Sequence, residues 1–349
     1  MHFAPHESSM LRVPYDDLYN ALLRATEHLG LRGDRASLCA RLFAETTRDG
    51  VYSHGLNRFP RFAQMVANGS IQVDAEPARV SNAGALERWD GNLGPGNVNA
   101  WVTMERTMAL ARKHGIAAIA LANTNHWMRG GTYGWQAAEA GMFAICWTNT
   151  LANLPAWGTA SPVLGNNPLV LAIPHRDSDA SRHIVLDMAM SQFSYGALST
   201  YSTRGALLPI PGGYDESGEL TRDPAAIEAS KRALPIGYWK GAGLSLTLDL
   251  FAAMLSGGRA THEIPQEPTR ESGISQVFIA IDPTALGSRE QLDTIAAGVL
   301  ESLRAVPPLE PGRPVRYPGE QTTHLREENL RLGVPVEPEV WKAVQTLTF

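Results

Sequence analysis

The chain has 349 residues, 44% of them hydrophobic and 19% charged, a balance that allows sizeable buried cores and, by length, two domains. Thirty basic against thirty-five acidic residues leave a formal charge of −5 with no block of like charge, which argues against a nucleic-acid binder. Met1 to Ser9 lack the basic-then-apolar pattern of a signal peptide, and the longest apolar stretch, Leu244 to Leu255, is short and interrupted by Ser245, Thr247 and Asp249. No membrane span is expected, and the chain reads as cytoplasmic.

Helical periodicity runs through the first seventy residues. Leu18, Leu22 and Ala25 share one face of a first helix, and Asp34 is expected to cap a second that bears Leu38, Leu42 and Ala44. A third begins near Pro60, presents Phe62, Met65 and Val66, and stops at Asn68-Gly69. Cys39 and Cys146 lie far apart in apolar stretches and are expected to be buried free thiols. From about Val80 the texture changes. Ile116 to Ala122, Phe143 to Thr148, Leu169 to Ile173, Ile184 to Asp187 and Val277 to Ile281 read as buried strands, with Asn99 to His114 and Ser288 to Val306 as amphipathic helices packed on them. Leu207 to Lys240 is rich in Pro and Gly, Gly243 to Gly257 reads as a nearly all-apolar helix, and Glu327 to Phe349 is helical again. The pattern predicts an α+β protein. A helical domain over 1–75 is completed by about 207–262 and 325–349, and a sheet domain with mixed α/β texture occupies 76–206 and 263–324.

Some chemistries are set aside by spacing. Gly94-Pro95-Gly96-Asn97-Val98-Asn99 is the nearest approach to a dinucleotide-binding Gly-x-Gly-x-x-Gly, but it lacks the third glycine and has a rigid proline between the first two. It reads better as a turn capping a helix that starts near Asn99. No His-Glu-x-x-His and no clustered Cys/His pairs are present among ten histidines, so no metal site is expected.

Three segments remain. Gly50 to Arg61 packs Ser53, His54, Arg58 and Arg61 into the break between two helices, where a rigid frame can hold catalytic groups. An imidazole is suited to protonating a carbonyl oxygen, and the guanidinium fork of Arg58 to gripping a carboxylate. Asn123 to Gly131 joins a strand end, two glycines and a helix start, which offers backbone N–H groups to an anion; His126 either touches substrate or caps the helix. His183 to Ser191 is a buried strand ending in Asp187, a carboxylate that needs a partner, either an imidazole to orient or a turn to cap.

Read together, these segments resemble the malate/L-lactate dehydrogenase-like oxidoreductases. Gly50-Val51-Tyr52-Ser53-His54-Gly55, Asn125 to Gly131, Cys146-Trp147-Thr148-Asn149, Phe193-Ser194-Tyr195-Gly196, Leu234 to Gly241 and Gly273 to Ala280 carry the likeness, which runs from about Val13 to the C-terminus. The resemblance implies a non-Rossmann fold, a helical domain beside a two-layer sandwich built on a mixed sheet, and a homodimer binding NADH, with NADPH not excluded, near the subunit interface. It implies His54 as proton donor to a small 2-oxo acid. The cofactor would lie along His183, Ile184, Val185, Leu186, Asp187, Met188 and Ala189, against Trp239 and Lys240, and beside Gly319, Glu320 and Gln321. Asp187 would pair with His54 and keep it protonated; Trp239 would stack on a cofactor ring and Lys240 meet the pyrophosphate. Arg58, His126 and Asn166 would face substrate. Asn166 stands where many members carry a threonine, an amide in place of a hydroxyl. Pro174 to His183 is longer than in related chains, and about ten extra residues precede Leu11. The implied activity is reduction of a sugar-derived diketo acid. The other activities implied are oxidation of malate, lactate, ureidoglycolate or a sulfonated hydroxy acid, and reduction of a cyclic imine.

Overall fold

The computed structural model describes residues 10–347 apart from 160, 178, 179, 311 and 313; the expected N-terminal extension lies largely outside the described residues. Strand β1 (Leu11–Val13) leads into helices α1 (Tyr15–His28) and α2 (Gly33–Arg48), two short 3-10 turns, and α3 (Phe59–Ala67). The apolar residues fall where their 3.6 periodicity puts them: Leu18, Leu22 and Ala25 meet Ala36, Ala40 and Phe43 in one buried cluster. Phe43 meets Phe59 and Phe62 edge to face, with ring centroids 5.1 and 5.4 Å apart, an arrangement worth about 1 kcal/mol beyond area burial. Asp34 does not cap α2. Arg32 occupies the cap position without a side-chain bond to the helix, its guanidinium going back to Glu27 O and Leu31 O, and Asp34 sits in the first turn, where its charge meets the positive end of the helix.

The middle of the chain builds the sheet. Strands β2 (Ala78–Ala83) and β3 (Leu86–Asp90) precede α4 (Gly96–His114), β4 (Ile116–Asn125), α5 (Gly131–Glu139) and β5 (Phe143–Thr148). There follow β6 (Ala152–Pro155), β7 (Pro162–Gly165), β8 (Leu169–Ile173), the short pair β9 (Arg176–Asp177) and β10 (Ala180–Ser181), and β11 (Ile184–Met188). Helix α6 (Tyr195–Thr203), the hairpin β12 (Gly213–Tyr214) and β13 (Leu220–Thr221), α7 (Pro224–Ser230) and α8 (Trp239–Ser256) lead to β14 (Ser272–Ile281). The chain closes with α9 (Arg289–Arg304), α10 (Glu320–Leu332), β15 (Val334–Val336) and α11 (Pro338–Thr346).

Seven strands form one sheet in the order β11-β8-β5-β14-β4-β3-β2. It is mixed because α4 carries the chain over from β3 to a parallel β4, whereas the other neighbours are antiparallel. Alternation sorts the side chains. Val170, Ala172, Cys146, Ile119, Phe278 and Val185 point to the face that α4 and α5 cover. Trp147, Val277 and Ala120 point to the opposite face, where α8 lies across the strands. Gly96, at the start of α4, leaves no room for a side chain: a Cβ would fall 2.0 Å from the Asn125 carbonyl oxygen. The helix therefore begins three residues earlier than Asn99.

One expectation is corrected. The segment 207–262, read as rejoining the helical part, packs on the sheet: Leu208, Ile227, Ala233, Leu248 and Ala252 share a cluster with Trp147 and Val277. An all-round apolar helix signals burial without naming the surface that provides it. Among the described residues, β15 pairs with β1, and α10 and α11 pack against α1, α2 and α3. Both cysteines are free and buried, and no described helix is long and apolar enough to cross a membrane.

Candidate active site

The break between α2 and α3 is tight because Gly55 lies against Thr47, whose hydroxyl accepts the Leu56 amide at 2.8 Å. Ser53 and His54 are thereby carried on a single 3-10 turn. The Ser53 Oγ and His54 Nδ1 are 2.8 Å apart. On the far side Ser53 meets α6 at Gly196, where a Cβ would come within 2.8 Å of it; the Phe193 to Gly196 motif thus abuts the histidine turn.

The loop Asn125 to Gly130 brings His126 under His54, with ring centroids 5.9 Å apart and planes tilted by 29°. His126 does not cap α5; its Nδ1 accepts the Met128 amide at 3.0 Å. Arg58 stands close enough to both imidazoles to repel their charged forms. Desolvation, then Arg58 and Arg129, pull the pKa of His54 down to about 4. Desolvation, Arg58 and His54 itself hold His126 well below the usual range.

Arg58 has a buried ion-pair partner in Glu271 at 3.8 Å, but its guanidinium makes no hydrogen bond to any described residue. Glu271, just ahead of β14, also pairs with Arg61 at 3.4 Å and accepts the Leu151 amide. Desolvation and Arg61 bring Arg58 down to about 10, against the pull of Glu271, so it stays cationic at neutral pH.

Arg129 ties this cluster to two aspartates. Asp49, at the end of α2 and 2% exposed, accepts from Arg129 at 2.8 Å, from Arg326 at 2.9 and 2.7 Å, and from Arg48 at 2.9 Å. Burial alone would raise its pKa, but Arg129, Arg326 and Arg48 outweigh burial and hold it well below the ordinary carboxylate range. Asp187, on β11, is exposed on one side and accepts the Gly131 amide at 2.7 Å. Desolvation of the carboxylate raises its pKa, opposed by Arg129 and that amide. The expected pairing of Asp187 with His54 is not made within the chain: each bonds elsewhere, and Arg129 stands near both. The backbone amide at the start of α5 satisfies the carboxylate first.

The three stretches singled out in the sequence lie along one edge. β11 is the outermost strand, and the Val185 amide donates to Pro318 O at 3.0 Å. Gly319 closes over it in a left-handed conformation (φ 98°), its Cα so near that a Cβ would meet His183 O and Val185 N at 3.1 Å. Past Met188, Met190 donates to Asn166 O and accepts from Ile236, which brings Trp239 and Lys240 alongside. Asn166 spends its side-chain oxygen on the Ser191 amide at 2.8 Å, while its neighbour Asn167 is buried and bonded to Thr150 and Ser245. Trp135 lies beneath this edge, with the Arg326 guanidinium 4.7 Å from one ring centre and the His183 ring 5.9 Å away. Asp49, Glu271 and Asn167 were not singled out from sequence. Each is a buried polar residue with partners distant along the chain, and only Asp49, beside a helix-ending glycine and bonded also to its neighbour Arg48, carried a local hint.

The chain is similar to known proteins over nearly its whole length. The family model described as malate/L-lactate dehydrogenase matches residues 13–345. The chain is 44% identical over 337 residues to the 2,3-diketo-L-gulonate reductase of Citrobacter koseri, covering 97% of this chain and 100% of that protein. Among solved structures, a dehydrogenase from Sinorhizobium meliloti superposes with a TM-score of 0.85 at 28% identity, covering 98% of this chain and 99% of that one. The Δ1-piperideine-2-carboxylate reductase of Pseudomonas syringae gives 0.85 at 26%, covering 97% and 100%. The chain therefore belongs to the malate/L-lactate dehydrogenase family, and it is an oxidoreductase of hydroxy and oxo acids.

Proposed function

We propose that this protein reduces 2,3-diketo-L-gulonate, or a closely similar sugar-derived 2-oxo acid, to the 2-hydroxy acid in the cytoplasm. NADH is the reductant in this reading, with NADPH the second candidate, and the enzyme works as a homodimer with the cofactor near the subunit interface. The observation that carries it is the pairing of His54 with Arg58: a neutral imidazole beside a guanidinium whose donors are unspent.

Arg58 takes the substrate carboxylate through its planar fork. Burial does most to depress His54, and the Arg58 charge adds to it; the carboxylate cancels that charge, so binding of the anion raises the imidazole's proton affinity where a proton is needed. Protonated His54 then donates to the carbonyl oxygen. Ser53, bonded to Nδ1, holds the ring so that Nε2 is the donating atom. His126 supports the ring from below, and the side-chain Nδ2 of Asn166, whose backbone N–H donates to Thr150, is placed to meet a hydroxyl of the substrate.

The edge formed by 183–189, 239–240 and 319–321 fits a nicotinamide dinucleotide. Gly319 leaves open a cradle that any side chain would fill, Trp239 offers an aromatic face that is 63% exposed, and Lys240 is exposed for a phosphate. When bound, the reduced nicotinamide supplies hydride to the carbonyl carbon. Asp187 keeps the Gly131 turn and Arg129 in place beside it.

The test is a panel of 2,3-diketo-L-gulonate, malate, lactate, ureidoglycolate, sulfolactate and cyclic imines with either reduced or oxidised nicotinamide, read by absorbance. The sugar-derived acid is expected to give the highest kcat/KM. His54→Ala is expected to lose roughly 10²–10⁴-fold in turnover while still binding NADH; wild-type rates in that variant would remove His54 from the chemistry.

A further inference from the structure

Helix α8 starts from a backbone conformation that a side chain resists. Tyr238, just ahead of it, has φ 60° and ψ −114°, a region that residues bearing a Cβ rarely adopt and that glycine fills freely. Its backbone hydrogen bonds do not require a tyrosine. The Tyr238 amide donates to Pro235 O at 3.1 Å and the Ala242 amide to Tyr238 O at 3.3 Å, and a glycine at 238 would make both. The following turn is dense: Gly241 donates to Ile236 O at 2.8 Å, and a Cβ on it would fall 2.4 Å from that oxygen. Trp239 and Lys240 lie between these two points and take their direction from them.

The tyrosine ring adds a contact from outside the helix. It meets Trp157 edge to face, with centroids 5.5 Å apart and planes at 70°. Trp157 stands on the turn joining β6 and β7, just beyond the place where Pro155 faces Pro162 across the pair, so two fixed φ angles stiffen the hairpin at its neck. The hairpin runs along α8. At its foot the Ser245 hydroxyl donates to Gly165 O at 2.6 Å, two helical turns past Tyr238, or about 10 Å along the axis. β7, four residues long, covers about the same length. The other strand is anchored as well, since Tyr195 donates to Asn153 O at 2.8 Å and the Leu151 amide to Glu271 at 3.2 Å.

We propose that Trp157 is a positioning residue: it clamps the Tyr238 ring, holds the strained turn in place, and so aims Trp239 and Lys240 at the bound nucleotide. The inference rests on the assignment of 239–240 to the cofactor. Relaxation of Tyr238 toward negative φ swings its ring, and a ring held against a stiff, anchored hairpin opposes that swing. Trp157 therefore acts on the nucleotide through Tyr238 and the turn, without touching it.

The test compares variants in two readouts, NADH affinity by calorimetry and hydrogen exchange of the Gly241 and Ala242 amides without nucleotide. Trp157→Ala should weaken NADH binding roughly three- to tenfold and speed exchange at both amides by a similar factor. Trp157→Phe, which keeps an aromatic face for the tyrosine, should stay within about twofold of the wild type. Tyr238→Ala keeps the Cβ and loses the ring, so it should behave as Trp157→Ala does. Tyr238→Gly removes the strain itself; it should remain within about twofold of the wild type in both readouts, and adding Trp157→Ala to it should change neither. A Trp157→Ala loss that persists in the Tyr238→Gly background, or unchanged exchange at Gly241 and Ala242, overturns the proposal. Faster exchange that extends to Phe278 in the central strand also overturns it, because that marks general destabilisation. A wild type that does not bind NADH sinks the assignment of 239–240 to the cofactor, and exchange alone then decides the clamp.

Discussion

Two aspartates flank Arg129, and they behave in opposite ways. Asp49 is sealed between α2, α10 and the Asn125 to Gly130 loop with three arginines on its oxygens, and is held ionised. Asp187 accepts a single backbone amide and has Arg129 as its one opposing cation, so burial prevails and its proton affinity is raised. One residue type thus serves as a clamp in one region and as an adjustable group in the other, and the number of cations around it decides which.

Replacing the clamp should have the largest effect. Asp49→Asn strands Arg129 and Arg326 and is expected to cost about 3–5 kcal/mol of stability, measured by denaturant unfolding; a cost under ~1 kcal/mol would mean the hub is ornamental. The clamp also has a pH signature. Because the folded pKa of Asp49 lies below its unfolded value near 4, its contribution is complete above that value and is lost as pH falls through the folded one.

The adjustable group should respond in activity instead. Asp187→Asn still accepts the Gly131 amide, so stability should hold within about 1 kcal/mol, while kcat is expected to fall roughly 10- to 100-fold, about 1.4–2.7 kcal/mol in barrier. A fall in stability without a fall in kcat would reverse the contrast between the two sites.

Arg58→Gln probes the ground between them. KM for the 2-oxo acid should rise roughly tenfold, and the His54 pKa should climb from about 4 toward its ordinary value near 6.5, followed by NMR titration. The smallest effect is on acid stability. With its folded pKa below the unfolded one, wild-type His54 makes stability fall between about pH 6.5 and 4, and Arg58→Gln should flatten that slope.

Much of this was legible in the sequence. Phe143 to Thr148 and Leu169 to Ile173 form strands with the expected bounds, because short β-rich apolar runs between breakers have few alternatives. His54, Arg58 and His126 were visible as chemistry-bearing residues in loops, and they do converge. The destination of α8 was not legible: its apolar pattern is nearly uniform, so no face points to the sheet rather than to the helices. Nor were Asp49 and Glu271 as charge partners, since Asp49 meets Arg326 across 277 residues and Glu271 meets Arg61 across 210. Local pattern carries no trace of such pairs. The carboxylate of Asp187 was found as a group in need of a partner, and within the chain that partner is the Gly131 amide, 56 residues away, which nothing in the sequence around Asp187 marks.

The position of Trp135 gives the molecule an internal optical gauge. Its indole is 6% exposed and held between the Arg326 cation and the His183 ring, directly under the edge strand. Any molecule that settles on that strand changes the field at the indole without touching it, and the shift in emission relative to Trp135→Phe reads occupancy in the absence of catalysis. Occupancy and turnover can then be followed as separate signals in the same cuvette.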